Sequence, residues 1–333
     1  MKNKNYNSLK ILVTGGLGFI GSNFILHLFS KYPKCQITNL DAEFLGSSKK
    51  NLEEIKNRTN YRYFKGNINN KKLVEKLVKN CDVVFNFAAE SHVDRSINEP
   101  KPFFDSNIMG TYCILEAIRR FDKKLVHIST DEVFGSLKSG SATEKHAFNP
   151  SSPYAASKAA AELLVNSYFV TYGSNVVITR CTNNYGPRQF PEKLIPKTIL
   201  LAMNNKPIPV YGTGKNRRDW IFVFDHCEAI LRVFEEGKNG SSYNIAGHNE
   251  IDNNTIVKMI LRMMGKPDTL LKHVKDRPGH DFRYSLNTTK IQKELGWKPQ
   301  YTFQKGLNLT VNWYINNKSW WQYISKKSIG RIR

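Results

Sequence analysis

The chain has 333 residues, with 50 lysines and arginines against 28 aspartates and glutamates, for a formal charge of +22. Its 40% hydrophobic and 12% aromatic content excludes a disordered chain, and its length supports two domains or one large domain with a lobe. The charge has two readings: a polyanionic partner (nucleic acid, an acidic membrane surface or a phosphorylated small molecule), or a drift to lysine and asparagine spread over the surface.

At the N-terminus, Lys2, Lys4 and Lys10 precede an apolar stretch from Ile11 to Phe29 that imitates a signal peptide. Gly15, Gly16, Gly18 and Gly21 interrupt it and no small-residue cleavage site follows, so no leader is expected. Elsewhere no run reaches the ~18 apolar residues of a membrane span. Strands are predicted at 9–14, 36–40, 61–64, 82–87, 125–129 and 176–180, and helices at 22–31, 71–79, 108–120 and 155–172. Near-continuous apolar strands separated by helices imply a parallel sheet covered on both faces. The expected fold is therefore α/β, a Rossmann-type doubly wound parallel sheet over residues 1–185. After Tyr185-Gly186-Pro187 the prolines cluster and the strands become shorter. A smaller α/β substrate-binding lobe is expected at 186–325, with parts able to return to the first domain. Its last helix is expected to end near Lys318, leaving a frayed basic tail at 326–333. The five cysteines, Cys35, Cys81, Cys113, Cys181 and Cys227, are odd in number and widely spaced. They form neither a disulfide framework nor a metal knuckle, which points to a reducing, cytoplasmic setting and no metal.

Thr14-Gly15-Gly16-Leu17-Gly18-Phe19-Ile20-Gly21 follows the first strand and opens the first helix. Gly15 permits the tight turn, Gly18 lets a pyrophosphate approach the backbone, and Gly21 lets the helix pack on the sheet. The second strand ends at Asp41, about 20 residues beyond Gly21, where a carboxylate holds an adenosine ribose. That carboxylate would repel a 2′-phosphate, favouring NAD over NADP, although Lys49 and Lys50 lie nearby. Further on, Tyr154 and Lys158 fall on one face of a helix. A nearby cation lowers a tyrosine pKa, so Tyr154 could take a hydroxyl proton as hydride leaves the same carbon. The pattern alone is common. Its weight comes from the fingerprint and from Ser129-Thr130-Asp131-Glu132-Val133, which leaves a buried strand at the edge where doubly wound sheets bind ligands.

Together these segments resemble the extended short-chain dehydrogenase/reductases. More narrowly, the chain resembles the dTDP-glucose 4,6-dehydratase family through Phe87-Ala88-Ala89-Glu90-Ser91-His92, Thr130-Asp131-Glu132, Asn183-Asn184-Tyr185-Gly186-Pro187, Glu192-Lys193-Leu194, Arg218-Asp219-Trp220, Tyr243-Asn244-Ile245 and Asp276-Arg277-Pro278-Gly279-His280. The resemblance implies an NAD-dependent lyase, a hydro-lyase that oxidises C4 of dTDP-glucose or UDP-glucose, eliminates water across C5 and C6 and returns hydride to C6, a step toward deoxysugars such as rhamnose. By the same resemblance Glu132 removes the C5 proton, Asp131 protonates the departing C6 hydroxyl, Thr130 binds the sugar and positions Tyr154, and Lys158 assists Tyr154. The cofactor would contact Gly15, Gly18, Phe19, Ile20, Gly21, Asp41, Asn67, Ile68, Ala88, Ala89, Tyr154 and Lys158. The substrate would contact Ser91, Thr130, Asn184, Lys193, Arg218, Asn244, Arg277 and His280. Asn67 stands where relatives carry an aspartate at the adenine, and would accept from its amino group more weakly. His92 reads as a packed residue beside the site. The helices at 108–120 and 155–172 resemble those through which relatives form homodimers. Two alternatives stay open: a 4-epimerase or decarboxylase of the same fold, and a nucleic-acid-binding protein on an inactive Rossmann scaffold.

Overall fold

The computed structural model describes residues 6–329. Strand β1 (Lys10–Thr14) runs through the glycine turn into helix α1 (Phe19–Lys31), and β2 (Gln36–Asp41) returns beside β1. Then come β3 (Tyr61–Lys65), α2 (Lys71–Lys79), β4 (Val83–Asn86), the short helices α3 (Val93–Asn98) and α4 (Lys101–Phe103), α5 (Gly110–Phe121), β5 (Lys124–Thr130), α6 (Pro153–Tyr172) and β6 (Val176–Cys181). These six strands stand in the order β3-β2-β1-β4-β5-β6, all parallel. Parallel neighbours need crossovers, and the crossover helices cover both faces. That is why β4 and β6 are buried at every position. Strand order reverses between β1 and β4, so the crevice above their carboxyl ends is the place for a ligand.

The second half continues with β7 (Asn183–Tyr185), α7 (Leu194–Met203), β8 (Ile208–Tyr211), β9 (Arg217–Phe222), α8 (Val223–Glu236), β10 (Ser242–Ile245), β11 (Glu250–Asp252), α9 (Asn253–Met263), β12 (Leu271–Val274), α10 (Thr289–Leu295), α11 (Phe303–Asn316) and α12 (Lys318–Ile329). Part of it returns to the central sheet. β10 pairs in parallel with β6 as a seventh strand, and Cys227, Ile230 and Phe234 of α8 join the core formed by Phe24, Leu28 and Phe85. The opposite face is packed by Val74, Ile114 and Val165 from α2, α5 and α6. What remains forms a separate lobe from the sheets β11-β9-β7 and β12-β8, with a core of its own around Tyr185, Ile199, Trp220, Phe222, Ile256 and Tyr314.

Two expectations change. The helix expected from 108 starts at Lys101: Pro102 sits in its first turn, where a missing N–H is harmless, and a π-helical turn (Phe104–Met109) joins α4 to α5. The expected tail at 326–333 is not a tail where it is described: α12 runs to Ile329, with Trp320 and Ile324 buried in the second core. Residues 330–333 lie outside the described residues. Among the described residues no helix is long and apolar enough to cross a membrane.

Candidate active site

A cavity of about 320 Å3 lies over the carboxyl ends of β1, β2, β4 and β5 and is lined both by the glycine turn and by Thr130, Asp131, Glu132, Tyr154 and Lys158. That volume suits a small-molecule site. Gly15 has φ +70°, and a Cβ on it would lie 2.6 Å from the Ala88 nitrogen, so the turns after β1 and β4 touch. A Cβ on Gly21 would strike the Gly15 carbonyl at 2.5 Å, whereas one on Gly18 would meet only that carbonyl, at 3.2 Å. The backbone at Gly18 is thus open to a ligand. Gly18 is also the N-cap of α1, and no side chain caps it, which leaves the N–H groups at Phe19 and Ile20 for an anion.

Asp41, at the end of β2, accepts from the Leu17 N–H at 3.0 Å and from the Glu43 N–H at 2.7 Å. Burial raises its pKa and these N–H groups oppose the rise. The Ser47 hydroxyl donates to Oδ2 as well, at 3.3 Å, and since a carboxylate has about four acceptor sites, one remains for a ribose hydroxyl. Asn67 and Ile68 line the same end of the cavity with Ala88 and Ala89. Asn67 Oδ1 already accepts from the Asn69 N–H at 3.0 Å, so only its second lone pair is free for an adenine amino group. An open glycine turn, a buried carboxylate and the apolar Ile68 wall fit NAD.

At the other end, β5 runs into a 3-10 turn (Asp131–Phe134) whose N-cap is Thr130. The Thr130 hydroxyl accepts from the Glu132 N–H at 3.3 Å and donates to Asp131 Oδ1 at 3.1 Å. Asp131 Oδ2 is buried with no hydrogen-bond partner. Burial, reinforced by the Glu132 charge, holds the Asp131 carboxyl well above its usual range. Burial also raises Glu132, against the pull of Arg218, Lys193 and Arg277. The site therefore offers an acid and a base side by side.

Tyr154 and Lys158 are set by the start of α6, where Ser152 caps the helix by accepting from the Ala155 N–H at 3.1 Å and Pro153 fits the first turn. Lys158 donates to the Ile128 carbonyl at 2.6 Å, and burial pulls its pKa down to about 8 while Glu162 opposes. The expectation that Lys158 acidifies Tyr154 is not met in this structure. Burial and then the Glu132 charge push the phenol well above its ordinary value, and a hydrogen bond with Thr130 works the other way.

Of the expected substrate contacts, Ser91, Asn184 and Lys193 line the cavity, while Arg218, Asn244, Arg277 and His280 do not. Asn244 is a framework residue: its amide donates to the Ala142 carbonyl at 2.9 Å and the Asn287 carbonyl at 3.3 Å. Arg218 donates to the carbonyls of Arg217, Asp281 and Phe282 and stacks over Tyr284, 4.4 Å from the ring centre. Arg277 pairs with Asp94 at 2.7 Å, and His280 with Asp276 at 2.6 Å. These groups form a charged surround rather than the wall. His92 does line the cavity, capping α3 and facing Glu192 at 3.3 Å, and burial lowers its pKa to about 4, so it is neutral.

Several supporting residues escaped the sequence. Asn107, in the π turn, donates to the Glu90 carbonyl at 3.0 Å and to Ser157 Oγ at 2.8 Å, tying α6 to the turn after β4. His226 holds Asn184 Oδ1 at 2.8 Å. Arg180 and Glu162 form a buried ion pair at 2.7 Å between β6 and α6. Each contact joins residues distant in sequence, and no local motif signals it.

One cavity thus joins a dinucleotide turn to a pair of proton-transfer groups, which places the chain among the short-chain dehydrogenase/reductases, in the branch able to eliminate water. The family described as GDP-mannose 4,6 dehydratase matches residues 12–310. A dTDP-glucose 4,6-dehydratase of Xanthomonas campestris pv. campestris is 45% identical over 93% of this chain and 94% of its own. The dTDP-glucose 4,6-dehydratase of Bacillus anthracis, solved in complex with NAD, matches with a TM-score of 0.90 and 44% identity, over 95% of this chain and 100% of that one. DesIV, the same enzyme from Streptomyces venezuelae with NAD and TYD bound, matches with a TM-score of 0.93 and 41% identity over the same shares, 95% and 100%. The chain belongs to the dTDP-glucose 4,6-dehydratase family.

Proposed function

We propose that this chain converts dTDP-glucose to its 4-keto-6-deoxy product and water, with NAD as cofactor. The observation that carries the reading is Asp131 Oδ2, buried and unpartnered beside Glu132 in the cavity that also holds the glycine turn. Burial and the Glu132 charge favour the protonated form of a carboxyl so placed, the form that can hand a proton to a leaving hydroxyl.

When bound, NAD supplies the hydride acceptor for C4 and the donor for C6. The chain's own groups do the rest. Gly18 and the first turn of α1 hold the pyrophosphate, and Asp41 holds the ribose. Tyr154, hydrogen-bonded with Thr130, takes the C4 hydroxyl proton, the Thr130 contact opposing the rise that burial and the Glu132 charge impose on the phenol. Lys158, fixed on the Ile128 carbonyl, would supply a further donor to the cofactor. The ketone at C4 acidifies C5, Glu132 removes that proton while Asp131 protonates the C6 hydroxyl as it departs, and Glu132 gives the proton back to C5 when hydride is returned to C6. Lys193 and Asn184, which line the same cavity, would hold the nucleotide part of the substrate.

The test is incubation with dTDP-glucose and, separately, UDP-glucose. The reading predicts a product lighter by one water from dTDP-glucose, and more slowly or not at all from UDP-glucose. Retention of the full mass with inversion at C4 would mark an epimerase instead. Leu163 and Val170 of α6 and Met109 beside α5 are exposed apolar side chains, and a second copy of the chain is the partner assigned to that face. All five cysteines are buried and unpaired, in keeping with a reducing cytoplasm.

A further inference from the structure

The peptide of Leu17, in the middle of the glycine turn, is held from two sides. Its N–H donates to Asp41 Oδ2 at 3.0 Å. Its carbonyl accepts from the Ser48 N–H at 3.0 Å and from Asn51 Nδ2 at 2.8 Å. Asn51 is 2% exposed, and its amide is used at both ends, because Oδ1 accepts from the indole N–H of Trp320 at 2.8 Å. Trp320 belongs to α12, in the core of the second lobe. A further contact from the same helix places Lys50 over the Tyr323 ring. Arg188, at φ +69°, braces the assembly by donating to the Asn51 carbonyl at 3.1 Å and to Asn23 Oδ1 at 3.3 Å. Between Asp41 and Ser48 the chain passes over the cavity at Phe44, Leu45 and Gly46. That loop is therefore anchored at Asp41 on one side and through Asn51 to α12 on the other.

We propose that Trp320 is a positioning residue for cofactor retention: through Asn51 it fastens the Leu17 peptide and the 42–48 loop, so that α12 sets how slowly NAD leaves. The inference rests on the cofactor site proposed above. Retention matters to this chemistry, since a cofactor reduced in the first half of turnover must still be present to return hydride in the second. Indole N–H is a donor only, and Asn51 Oδ1 is buried. Taking the N–H away leaves that acceptor without a partner and frees the amide to turn from Leu17.

The experiment measures NAD release from the holoenzyme on dilution into excess labelled NAD, for wild type and for Trp320→Phe, Asn51→Ala, the double variant and Asp41→Ala, with a melting curve for each. Trp320→Phe keeps a ring in the core and loses only the donor. It is expected to release NAD about tenfold faster. Asn51→Ala should do so at least as strongly, and the double variant no faster than Asn51→Ala, because the two act in series. Asp41→Ala should bind NAD weakly. Wild-type release from Trp320→Phe with NAD lost from Asp41→Ala overturns the latch and leaves the site standing. A lowered melting temperature with unchanged release likewise overturns it, since Trp320 is then only packing. Independent, multiplying effects of Trp320→Phe and Asn51→Ala exclude the relay. Wild-type retention in Asp41→Ala overturns the site reading itself, and the latch with it.

Discussion

At Asp131 the fold gives up stability for chemistry. Burial and the neighbouring Glu132 charge hold this carboxyl well above its ordinary value. Below that ordinary value the group is protonated folded or unfolded and contributes no pH dependence. As pH rises past it, the unfolded chain releases the proton while the native state keeps it, so stability falls until the raised pKa is reached. Asparagine does not titrate. Asp131→Asn is therefore expected to melt higher than wild type, with a gap that widens from the ordinary carboxylate range upward in pH, while dehydration slows by about 10²–10⁴-fold. Melting curves across that range, beside turnover, check both halves; a variant that melts lower at every pH sinks the account. Asp41, Tyr154 and Lys158 could be singled out in the sequence by the spacing of their segments, whereas Asp131 and Glu132 took their roles from the family resemblance; the structure brings all five to one cavity. Arg218 was expected at the substrate because a guanidinium suits a diphosphate, and Arg277 because of the family resemblance of its segment. In the structure their guanidinium groups hold backbone carbonyls and Asp94, partners from segments that only the folded chain brings near, while their charges still reach Glu132.

At the scale of elements, α6 carries the chemistry, and two contacts that leave no sequence signature fix its register. Asn107 ties it to the turn after β4, and the Glu162–Arg180 pair ties it to β6, with exposures of 0% and 3%. Breaking such a pair on one side strands a buried charge. Glu162→Gln should lower stability by about 3–5 kcal/mol in urea titration. It should also show a kinetic effect that simple loosening would not. Glu162 is the anion that opposes the burial shift on Lys158, whose pKa is about 8. Without it the lysine loses its proton at lower pH, and the alkaline limb of kcat/KM moves to lower pH; an unmoved limb rejects the coupling. On the outer face of the same helix, Val170 is 80% exposed and Leu163 59%. Leu163→Glu with Val170→Glu should halve the mass seen by light scattering without lowering the melting point of the isolated subunit. Most strands and long helices were readable from apolar runs and periodicity. The first turns of the α4–α5 helix were not: proline disfavours a helix interior, and only the fold shows that Pro102 lies in a first turn, where it is tolerated. Nor was α12, whose apolar residues Trp320 and Ile324 sit among lysines and serines.

For the whole molecule, the question is which part of the +22 charge acts on a ligand. Among the described residues Lys158, Lys193 and Arg95 line the cavity, and the charges of Arg218 and Arg277 oppose the rise that burial imposes on Glu132. Lys34, Lys76, Lys79 and Lys258 are exposed and lie off the wall. In water at physiological salt, charges beyond about 8 Å are largely screened, so these lysines neither bind the diphosphate nor tune the acid pair. Converting all four to glutamine should leave KM for dTDP-glucose and its salt dependence within about twofold of wild type, whereas Lys193→Met alone should raise KM by about tenfold or more, the loss of one charge-assisted contact. Steady-state kinetics at low and high salt separate the two cases. If the fourfold variant instead loses affinity steeply at low salt, the surface charge steers the anionic substrate and the excess is functional. If it does not, the positive balance is background, and what recognises the nucleotide sugar is a small set of cations that the central sheet and the second lobe bring to one cavity.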